Sequence, residues 1–437
     1  MTRVDKDPRA WRPVLDGALA EQARESLEAL SRELPPAVAS HRDPFLADGL
    51  AGVALFFAYL SHVWPRAEYW ELAQSLTERS VELLQEMELT PSLFGGFSGV
   101  VWTVEHLGSR AIASLEDDLA ALDGMVEDWL ASAVLPVNYD LSRGLIGMGV
   151  HALERLPRPA AQATIERVVH ALGRMARQTE RGVYWFSERH LSREVRFPRG
   201  HTNLGVAHGV PGLIAFLAGA VSAGIARVQA EALLRGAVAW LLAQRNPENG
   251  RFPAFIDAEG EPCFTPASWW CYGPPGIASA LLLAAEVLGE EGWRRESCAI
   301  ALKTVEDPIR PPTLPLGLCH GTAGLALIYQ RFFQATGDSA FRDAACGCFA
   351  RTLAQRQPTA GISGYRVWNN EPGVEPHWYN APGWLEGAAG IGLALLSGLS
   401  SIEPAWDRLL LLSLRRDVSR PWGGVLEASP GQPGAHP

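Results

Sequence analysis

A glycine pair of the form Gly-x-x-Gly, followed each time by an apolar run, occurs seven times along this chain. The first glycines of successive pairs are separated by 47, 48, 65, 64, 48 and 66 residues, which indicates a unit of about 48 residues with three insertions. A period of this length is typical of proteins built from repeated units that bury a shared core. The pairs begin at Gly49, Gly96, Gly144, Gly209, Gly273, Gly321 and Gly387.

Two kinds of helix alternate in these units. The run after each glycine pair is nearly free of charge, as in 277–283, whereas the segment before it carries charge on one face, as in 69–87 and 227–245. A helix that is apolar all round must be buried, and one with a single apolar stripe lies at a surface. The chain is therefore predicted to be all-α: one α/α-toroid domain over residues 1–437, a double ring of seven inner and seven outer helices with short β or loop insertions.

The glycines are expected where the inner helices converge at one end of the barrel, because only glycine lets backbones approach closely and adopt positive φ. The residue directly before each first glycine should then face the central cavity, and we call these seven positions the rim residues. Five of the seven are acids, bases or histidines, which a purely structural turn would not require. One rim of the barrel is therefore predicted to carry the functional site. The rim residues are Asp48, Gly95, Arg143, His208, Tyr272, His320 and Glu386.

Three insertions interrupt the helical pattern. Residues 182–186 together with 195–197 predict a short β-hairpin, within a small insertion over residues 180–205. Residues 247–266 and 361–382 are rich in proline, glycine and aromatic residues and are predicted to be loops, a kind of segment that often forms lids or binding walls. Five residues of the last loop could contact a substrate or equally form an ordered surface: Asn369, Asn370, His377, Trp378 and Tyr379.

The charge balance excludes some functions. With 38 Lys and Arg against 48 Asp and Glu, and a net charge of −10, the concentrated basic face of a nucleic-acid-binding protein is not expected. The first seven residues lack the apolar core of a secretory signal. Residues 209–226 carry no charge, but this run contains Pro211 and four glycines and is barely long enough to span a membrane. A buried helix explains it better, so we predict no transmembrane segment and a cytoplasmic protein.

Two short stretches offer ligands for a metal ion. Cys271 lies two residues before the fifth glycine pair, Cys319 lies the same distance before the sixth, and His320 follows Cys319 directly. The shared offset places both sulfurs on adjacent units at one depth. Zn²⁺ prefers thiolate and imidazole ligands, and three protein ligands leave the open fourth position of a catalytic site. The alternative, two small core cysteines and a satisfied histidine, does not explain the repeated offset.

A zinc site of this kind can support two broad kinds of chemistry. It can activate water for hydrolysis, or it can bind a substrate thiol and hold it as a thiolate near neutral pH. Two thiolate ligands already donate charge to the metal and make it a weaker Lewis acid toward water, yet they do not prevent a third thiolate from binding. The charge of the ligand set therefore favours thiol activation.

Four motifs surround these residues: AHGVPG at 207–212, WCYGPPG at 270–276, CHGTAG at 319–324 and LEGAAG at 385–390. In combination they resemble the LanC-type lanthionine synthetases, the cyclases of lanthipeptide biosynthesis, and the resemblance spans nearly the whole chain. It implies a zinc-dependent intramolecular Michael addition. A cysteine thiolate of a precursor peptide attacks a dehydroalanine or dehydrobutyrine of the same peptide and forms a lanthionine or methyllanthionine ring.

The resemblance also implies roles for single residues. His208 matches the family's candidate general acid for the enolate, and Asp140 matches an acidic residue that takes the thiol proton or orients His208. A loop or helix-cap role for Asp140 is the alternative. Tyr272 is placed with these catalytic residues, and Trp270 is expected to line the pocket and bind substrate. The implied Zn²⁺ ligands are Cys271, Cys319 and His320.

One position departs from the family pattern. Many members carry an arginine four residues before the first zinc cysteine, and this chain has Ala267 there. Another basic group must then serve the enolate oxygen or the peptide, or the substrate is handled differently. Arg143 is the substitute we consider, as a substrate-binding residue. The alternative is a solvated or ion-paired arginine with no such role.

Partners follow from the same resemblance: a dehydrated precursor peptide with leader and core, a separate dehydratase, and a transporter complex that would hold the protein at the membrane. The sequence lacks glycine-rich phosphate loops, so it is interpreted as a stand-alone cyclase. The main rival is a non-catalytic LanC-like protein that binds zinc and a thiol such as glutathione. Zinc prenyltransferases, which use a carboxylate ligand, and toroidal glycosidases, which use paired carboxylates, fit less well.

Overall fold

The computed structural model describes residues 10–108, 116–132, 134, 137–188, 196–266, 268–306, 315–369 and 375–415. In these ranges fourteen α-helices alternate between two rings. The outer helices are α1 (Gly17–Val38), α3 (Ala67–Leu84), α5 (Glu116–Ser132), α7 (Pro159–Met175), α9 (Arg227–Leu242), α11 (Glu291–Glu306) and α13 (Ser339–Ala354). The inner helices are α2 (Leu50–Val63), α4 (Phe97–Leu107), α6 (Leu145–Glu154), α8 (Val210–Ser222), α10 (Pro274–Leu288), α12 (Thr322–Thr336) and α14 (Ala388–Leu399).

Burial separates the two rings. Every residue of α4 is buried, and so are residues 50–61 of α2 and 388–398 of α14, whereas α3 buries only one stripe. Each inner helix begins directly after the first glycine of a pair. The predicted all-α fold, with seven inner and seven outer helices, is confirmed for the described residues.

The two rings close through the chain's first and last units. Each inner helix packs against the next, and α14 packs against α2. Helix α1 packs against α13, the last outer helix, and against α14, the last inner helix. The segment before α1 is held there because the main-chain N–H groups of Val14 and Leu15 both donate to the Gly398 carbonyl at 3.0 Å. The first and last units thus bury one another's faces, as predicted for a closed toroid.

Seven equivalent turns connect the outer ring to the inner ring, and we number them turns 1 to 7. They are residues 45–49, 92–96, 140–144, 205–209, 269–273, 317–321 and 383–387. The fourth residue of each turn is the rim residue and is half-buried or exposed. The second residue is apolar and at most 3 % exposed, so the seven second residues form a buried layer beneath the rim. This layer consists of Leu46, Leu93, Leu141, Val206, Trp270, Leu318 and Trp384.

The second glycine of every pair is required by close packing. A Cβ atom at any of these seven positions would lie 1.8–2.4 Å from the carbonyl oxygen of the buried-layer residue in its own turn. The predicted positive φ is wrong for the first glycines with one exception, Gly273, where φ is 112°. At the other six, φ lies between −96° and −154°. Close approach of the backbone, and not left-handed conformation, therefore accounts for most of these glycines.

This packing predicts a large stability difference between two glycine substitutions. Gly52→Ala should destabilise the fold by about 2–3 kcal/mol, because the new methyl group would meet both the Leu46 carbonyl and the Cβ of Trp384. Gly347→Ala, in helix α13 with no atom within 4 Å of the new Cβ, should stabilise it by about 0.5–1 kcal/mol. Equilibrium unfolding in urea measures both. Equal effects at the two positions would contradict the packing argument.

Main-chain hydrogen bonds join the turns into a ring. An N–H group in one turn donates to the carbonyl directly before the rim residue of the next turn. Among the described residues one junction lacks this bond: between turn 5 and turn 6, Trp270 N does not reach the Cys319 carbonyl. The other six junctions are bonded at 2.8 to 3.0 Å through Ala47–Phe94, Leu93–Ser142, Leu141–Ala207, Val206–Cys271, Leu318–Leu385 and Trp384–Ala47.

The insertions form small antiparallel sheets at the rim end of the barrel. Strand β2 (Gly182–Tyr184) pairs with β1 (Arg177–Thr179). The predicted pairing of residues 182–186 with 195–197 is therefore wrong, and Val195 lies outside the described residues. Strand β3 (His201–Asn203) pairs instead with β4 (Phe255–Asp257), which pairs with β5 (Pro262–Cys263). Strands β6 (Val367–Asn369) and β7 (His377–Tyr379) form a hairpin. Both predicted loops therefore contain strands, and the first two insertions share one sheet.

Helix α8 lies in the uncharged run at 209–226, and its residues 210–221 are all buried. The interpretation of this run as a buried helix is confirmed. Within the described ranges, none of the helices is both long and apolar enough to cross a bilayer.

Candidate active site

Cys271, Cys319 and His320 converge at the junction between turn 5 and turn 6. Their Sγ and imidazole nitrogen atoms all lie within 4.8 Å of one another, and Cys319 Sγ lies 3.8 Å from His320 Nε2. Around a tetrahedral Zn²⁺, with Zn–S near 2.3 Å and Zn–N near 2.0 Å, neighbouring ligand atoms are roughly 3.5–3.8 Å apart. The three residues therefore fit one zinc ion, at the junction where, among the described residues, the ring of main-chain hydrogen bonds is open.

Electrostatics within this group favour one ionised thiol. Burial opposes ionisation of Cys271, but hydrogen bonds from Cys319 and His320 outweigh it and lower the Cys271 pKa to about 6. Burial and the neighbouring Cys271 raise the pKa of Cys319 well above its ordinary value. Burial also disfavours the His320 cation, yet Cys271 and Glu386 raise its pKa to about 11. The Cys271 thiolate is thus ready to bind a cation, whereas Cys319 and His320 would each release a proton as they bind it.

Glu386 holds the candidate metal histidine. Its Oε1 lies 2.6 Å from His320 Nδ1, so the imidazole donates from Nδ1 and turns Nε2 toward the sulfurs. A carboxylate on the second nitrogen of a ligating histidine fixes the ring and raises its basicity. Sequence reasoning identified Glu386 only as a rim residue. Its position in turn 7, next to turn 6 in a closed ring, is the signal that could have paired it with His320.

Glu386→Gln is therefore expected to weaken zinc binding by roughly 10–100-fold, because a neutral amide orients and polarises the His320 imidazole less well. Competition with a chromophoric chelator measures this affinity. Asp48→Asn is the matched control, since Asp48 is another rim acid and, among the described residues, its carboxylate makes no hydrogen bond to a candidate ligand; it should change the affinity little. Equal affinities for wild type and Glu386→Gln would rule out this role.

A second carboxylate–histidine pair lies on the same rim. His208 Nδ1 is 2.9 Å from Asp140 Oδ2, and Asp140 Oδ1 accepts a hydrogen bond of 2.7 Å from the Arg143 main chain. Burial opposes the Asp140 charge, but the hydrogen bonds from His208 and Arg143 outweigh it and lower the Asp140 pKa. The carboxylate therefore accepts a hydrogen bond from Nδ1–H, which leaves Nε2 of the partly exposed imidazole to exchange a proton with a bound molecule.

Tyr272 connects this pair to the candidate metal group. It directly follows Cys271, and its ring centroid lies 6.3 Å from that of His208. Asn203 on β3 donates to the Tyr272 hydroxyl at 2.8 Å, and Phe255 on β4 packs against the ring at 5.2 Å. The sheet formed by the insertions therefore supports the half-buried tyrosine from one side. Asn203 and Phe255 were not identified from the sequence.

Trp270 differs from the expected substrate contact. It belongs to the buried layer, is 1 % exposed, and donates its indole N–H to the Leu410 carbonyl at 2.7 Å. A peptide at the rim cannot reach it in this structure. Its position beside Cys271 allows it to support the turn from below.

The remaining predicted residues lie around the rim. Arg143 is an exposed rim residue of turn 3, beside Asp140. Trp378 and Tyr379, on the β6–β7 hairpin, are 45 % and 39 % exposed. Asn369 and His377 pair across the same hairpin. Ala267 and Asn370 lie outside the described residues.

A closed double ring of helices with a Cys₂His group at one rim defines an α/α toroid with a candidate metal centre. A family model described as "Lanthionine synthetase C-like protein" matches residues 40–411. Because this match covers most of the chain, the protein belongs to the lanthionine synthetase C-like family, as the motifs predicted.

Two relatives can be compared over most of their length. Nisin biosynthesis protein NisC of Lactococcus lactis subsp. lactis is 24 % identical over 393 residues, which cover 84 % of this chain and 88 % of that protein. A solved structure of nisin cyclase superposes with a TM-score of 0.71 at 19 % identity, covering 90 % of this chain and 96 % of that one. The structural match supports the toroidal fold.

Proposed function

We propose that this protein is a zinc-dependent lanthipeptide cyclase. The observation that carries the proposal is the arrangement at the rim: the Cys271–Cys319–His320 group lies in a chain of the lanthionine synthetase C-like family, one turn away from the His208–Asp140 pair. The first group suits a metal that binds a thiol, and the second suits proton transfer. Together they fit the addition of a thiol to an activated double bond.

Cys271, Cys319 and His320 would hold the zinc ion, with Glu386 orienting His320. When bound, Zn²⁺ would supply the positive charge that keeps a substrate thiol ionised near neutral pH. The protein's own residues explain why a thiol, and not water, is the expected nucleophile, since two thiolate ligands leave little Lewis acidity for water. The two cysteines are buried directly below the rim and His320 is exposed on it, so a peptide side chain would approach a bound metal from the rim.

The remaining residues would transfer the proton to the product and stabilise the charge that develops during the addition. The substrate sulfur forms a bond to the β-carbon of a dehydroalanine or dehydrobutyrine, and the electron pair of the C=C bond moves toward the carbonyl to give an enolate. A proton from His208 Nε2 then adds to the α-carbon, while Asp140 holds Nδ1. The thiol proton is released on ionisation, so ring closure changes no mass. Tyr272 would donate a hydrogen bond toward the enolate region, and Arg143 would bind the peptide.

The substrate of such an enzyme is a precursor peptide that a separate dehydratase has already modified. Under this proposal a transporter complex at the membrane would be a further partner. The cyclase, the dehydratase and the transporter complex would then meet on the cytoplasmic side. The similarity to Nisin biosynthesis protein NisC supports a peptide substrate of this class.

Reconstitution tests the proposal. Purified protein with zinc is mixed with a dehydrated precursor peptide, and free thiols are counted while the mass is followed. Loss of thiols at constant mass is expected, at a rate well above that of peptide alone. If the protein binds zinc and a free thiol such as glutathione but closes no ring in any dehydrated peptide, the non-catalytic binder is the correct function instead.

A further inference from the structure

After α14 the chain turns into the interior of the toroid. Residues Ala405–Leu410 form a 3₁₀ helix, which we call the plug helix, and its Trp406, Asp407, Leu409 and Leu410 are 0 % exposed. The plug helix contacts the buried layer of the turns from below, through Trp270 and Trp384. It therefore supports the rim on the side that carries the candidate site.

Two buried ion-pair groups hold the plug helix in place. Arg331 of α12 contacts Asp407 through two hydrogen bonds of 2.6 and 2.9 Å. On the other side, Arg408 donates to both Glu154 oxygens at 2.8 and 3.0 Å, and Glu154 also contacts His106 at 2.8 Å. Breaking a buried pair leaves an uncompensated charge, which is costly. The plug helix is thus tied to α4, α6 and α12, on different sides of the ring.

The upper end of the plug helix contacts turn 5. Leu410 is the last residue of the 3₁₀ helix, where main-chain carbonyls lack partners within the helix. Its carbonyl accepts the 2.7 Å hydrogen bond from the Trp270 indole, and Trp270 is the residue directly before Cys271. Trp384, at the same register position in turn 7, packs edge-on against Trp406 at 6.1 Å, yet its Nε1 has no hydrogen-bond partner in the described part of the chain.

The Trp270–Leu410 hydrogen bond lies at the open junction between turn 5 and turn 6. Among the described residues, turn 5 donates no main-chain hydrogen bond to turn 6, whereas each of the other six turns is bonded to the next. The ring therefore holds Cys271 from turn 4, through the 2.9 Å bond from Val206 N to its carbonyl, but does not bond it directly to Cys319 in turn 6. The Trp270–Leu410 hydrogen bond supplies a fixed point directly beside Cys271 instead.

We infer that Trp270 is a positioning residue that fixes Cys271 against the plug helix, and that the plug helix and the metal site are coupled through it. This inference rests on the proposed zinc site. Because coupling between two sites is reciprocal, a metal at Cys271 should stabilise the plug helix as much as the plug helix strengthens metal binding.

The first test compares two tryptophan variants by zinc affinity, measured with a competing chelator. Trp270→Phe keeps an aromatic ring but removes the indole N–H, and we expect about tenfold weaker zinc binding. Trp384→Phe removes an equally buried N–H that makes no hydrogen bond, and it should alter the affinity less than about twofold. Equal affinities of Trp270→Phe and wild type would overturn the inference, even if the variant were less heat-stable.

The second test needs no variant and covers the case in which Trp270→Phe does not fold. Amide hydrogen exchange of the wild type is measured with and without zinc. The amides of Leu411 and Leu412, which bond back into the plug helix at 3.0 and 3.2 Å, should exchange more slowly with zinc. Unchanged exchange there would overturn the inference. If the wild type binds no zinc at all, the proposed function fails, which is a distinct result.

Discussion

Cys319→Ala is expected to abolish tight zinc binding and to slow ring closure by roughly 10³-fold or more, because it removes a thiolate ligand and the activation of the substrate thiol with it. Cys271→Ala should behave in the same way. The measurements are zinc content after dialysis and the rate of thiol loss with a dehydrated peptide. The two variants should be equivalent, since both sulfurs belong to one group within 4.8 Å.

Cys348→Ala is the matched control. Cys348 is 4 % exposed, close to the 2 % of Cys271 and the 6 % of Cys319, but it lies in outer helix α13. This substitution should cost some stability by leaving a small cavity and should leave zinc content unchanged. Ring closure at the wild-type rate by Cys319→Ala or Cys271→Ala would refute the proposed mechanism. Loss of zinc in Cys348→Ala as well would mean that the effect arises from the fold.

The fold could be predicted from the sequence because one pattern specifies it seven times. Glycine spacing, uncharged runs and amphipathic segments agree in every unit, so the helix pairs and their number follow directly. Closure of the ring also follows, because the first and the last unit would each expose an apolar face to water unless these two faces packed together. The short strands could not be predicted in the same way. Their pairing joins two different insertions: His201 pairs with Asp257, 56 residues further along the chain, and no local pattern specifies such a partner.

The candidate site was predictable where the repeat register fixes a residue's direction. Cys271 and Cys319 share one register position, His320 occupies the next, and the three converge as expected. The same register should have excluded Trp270 as a substrate contact: the second residue of every turn is apolar, and Trp270 occupies that position as Leu318 does in the next turn. The aromatic side chain of Trp270 suggested a pocket wall, whereas its place as the second residue of the turn indicated the core. The partnership of Glu386 with His320 depends on ring geometry, which the sequence alone does not give.

His208→Asn is the second large effect expected, a loss of about 10²–10⁴-fold in the rate of ring closure with zinc affinity unchanged. The variant retains a polar side chain at the rim but cannot deliver a proton to the enolate. Single-turnover kinetics with a dehydrated peptide separate this chemical step from peptide binding. His170→Asn, an exposed histidine of outer helix α7, is the control and should react at the wild-type rate.

The Asp140–His208 contact also predicts how the two substitutions should combine. If Asp140 acts by holding His208 Nδ1 at 2.9 Å, then Asp140→Asn should slow closure by itself but add little in the His208→Asn background. If Asp140 instead takes the thiol proton independently, the two losses should multiply. A wild-type rate for His208→Asn would transfer the acid role to another rim group, and Tyr272, 6.3 Å from His208 and held by Asn203, is the next to test. The double variant therefore distinguishes one acid unit from two separate proton-transfer groups.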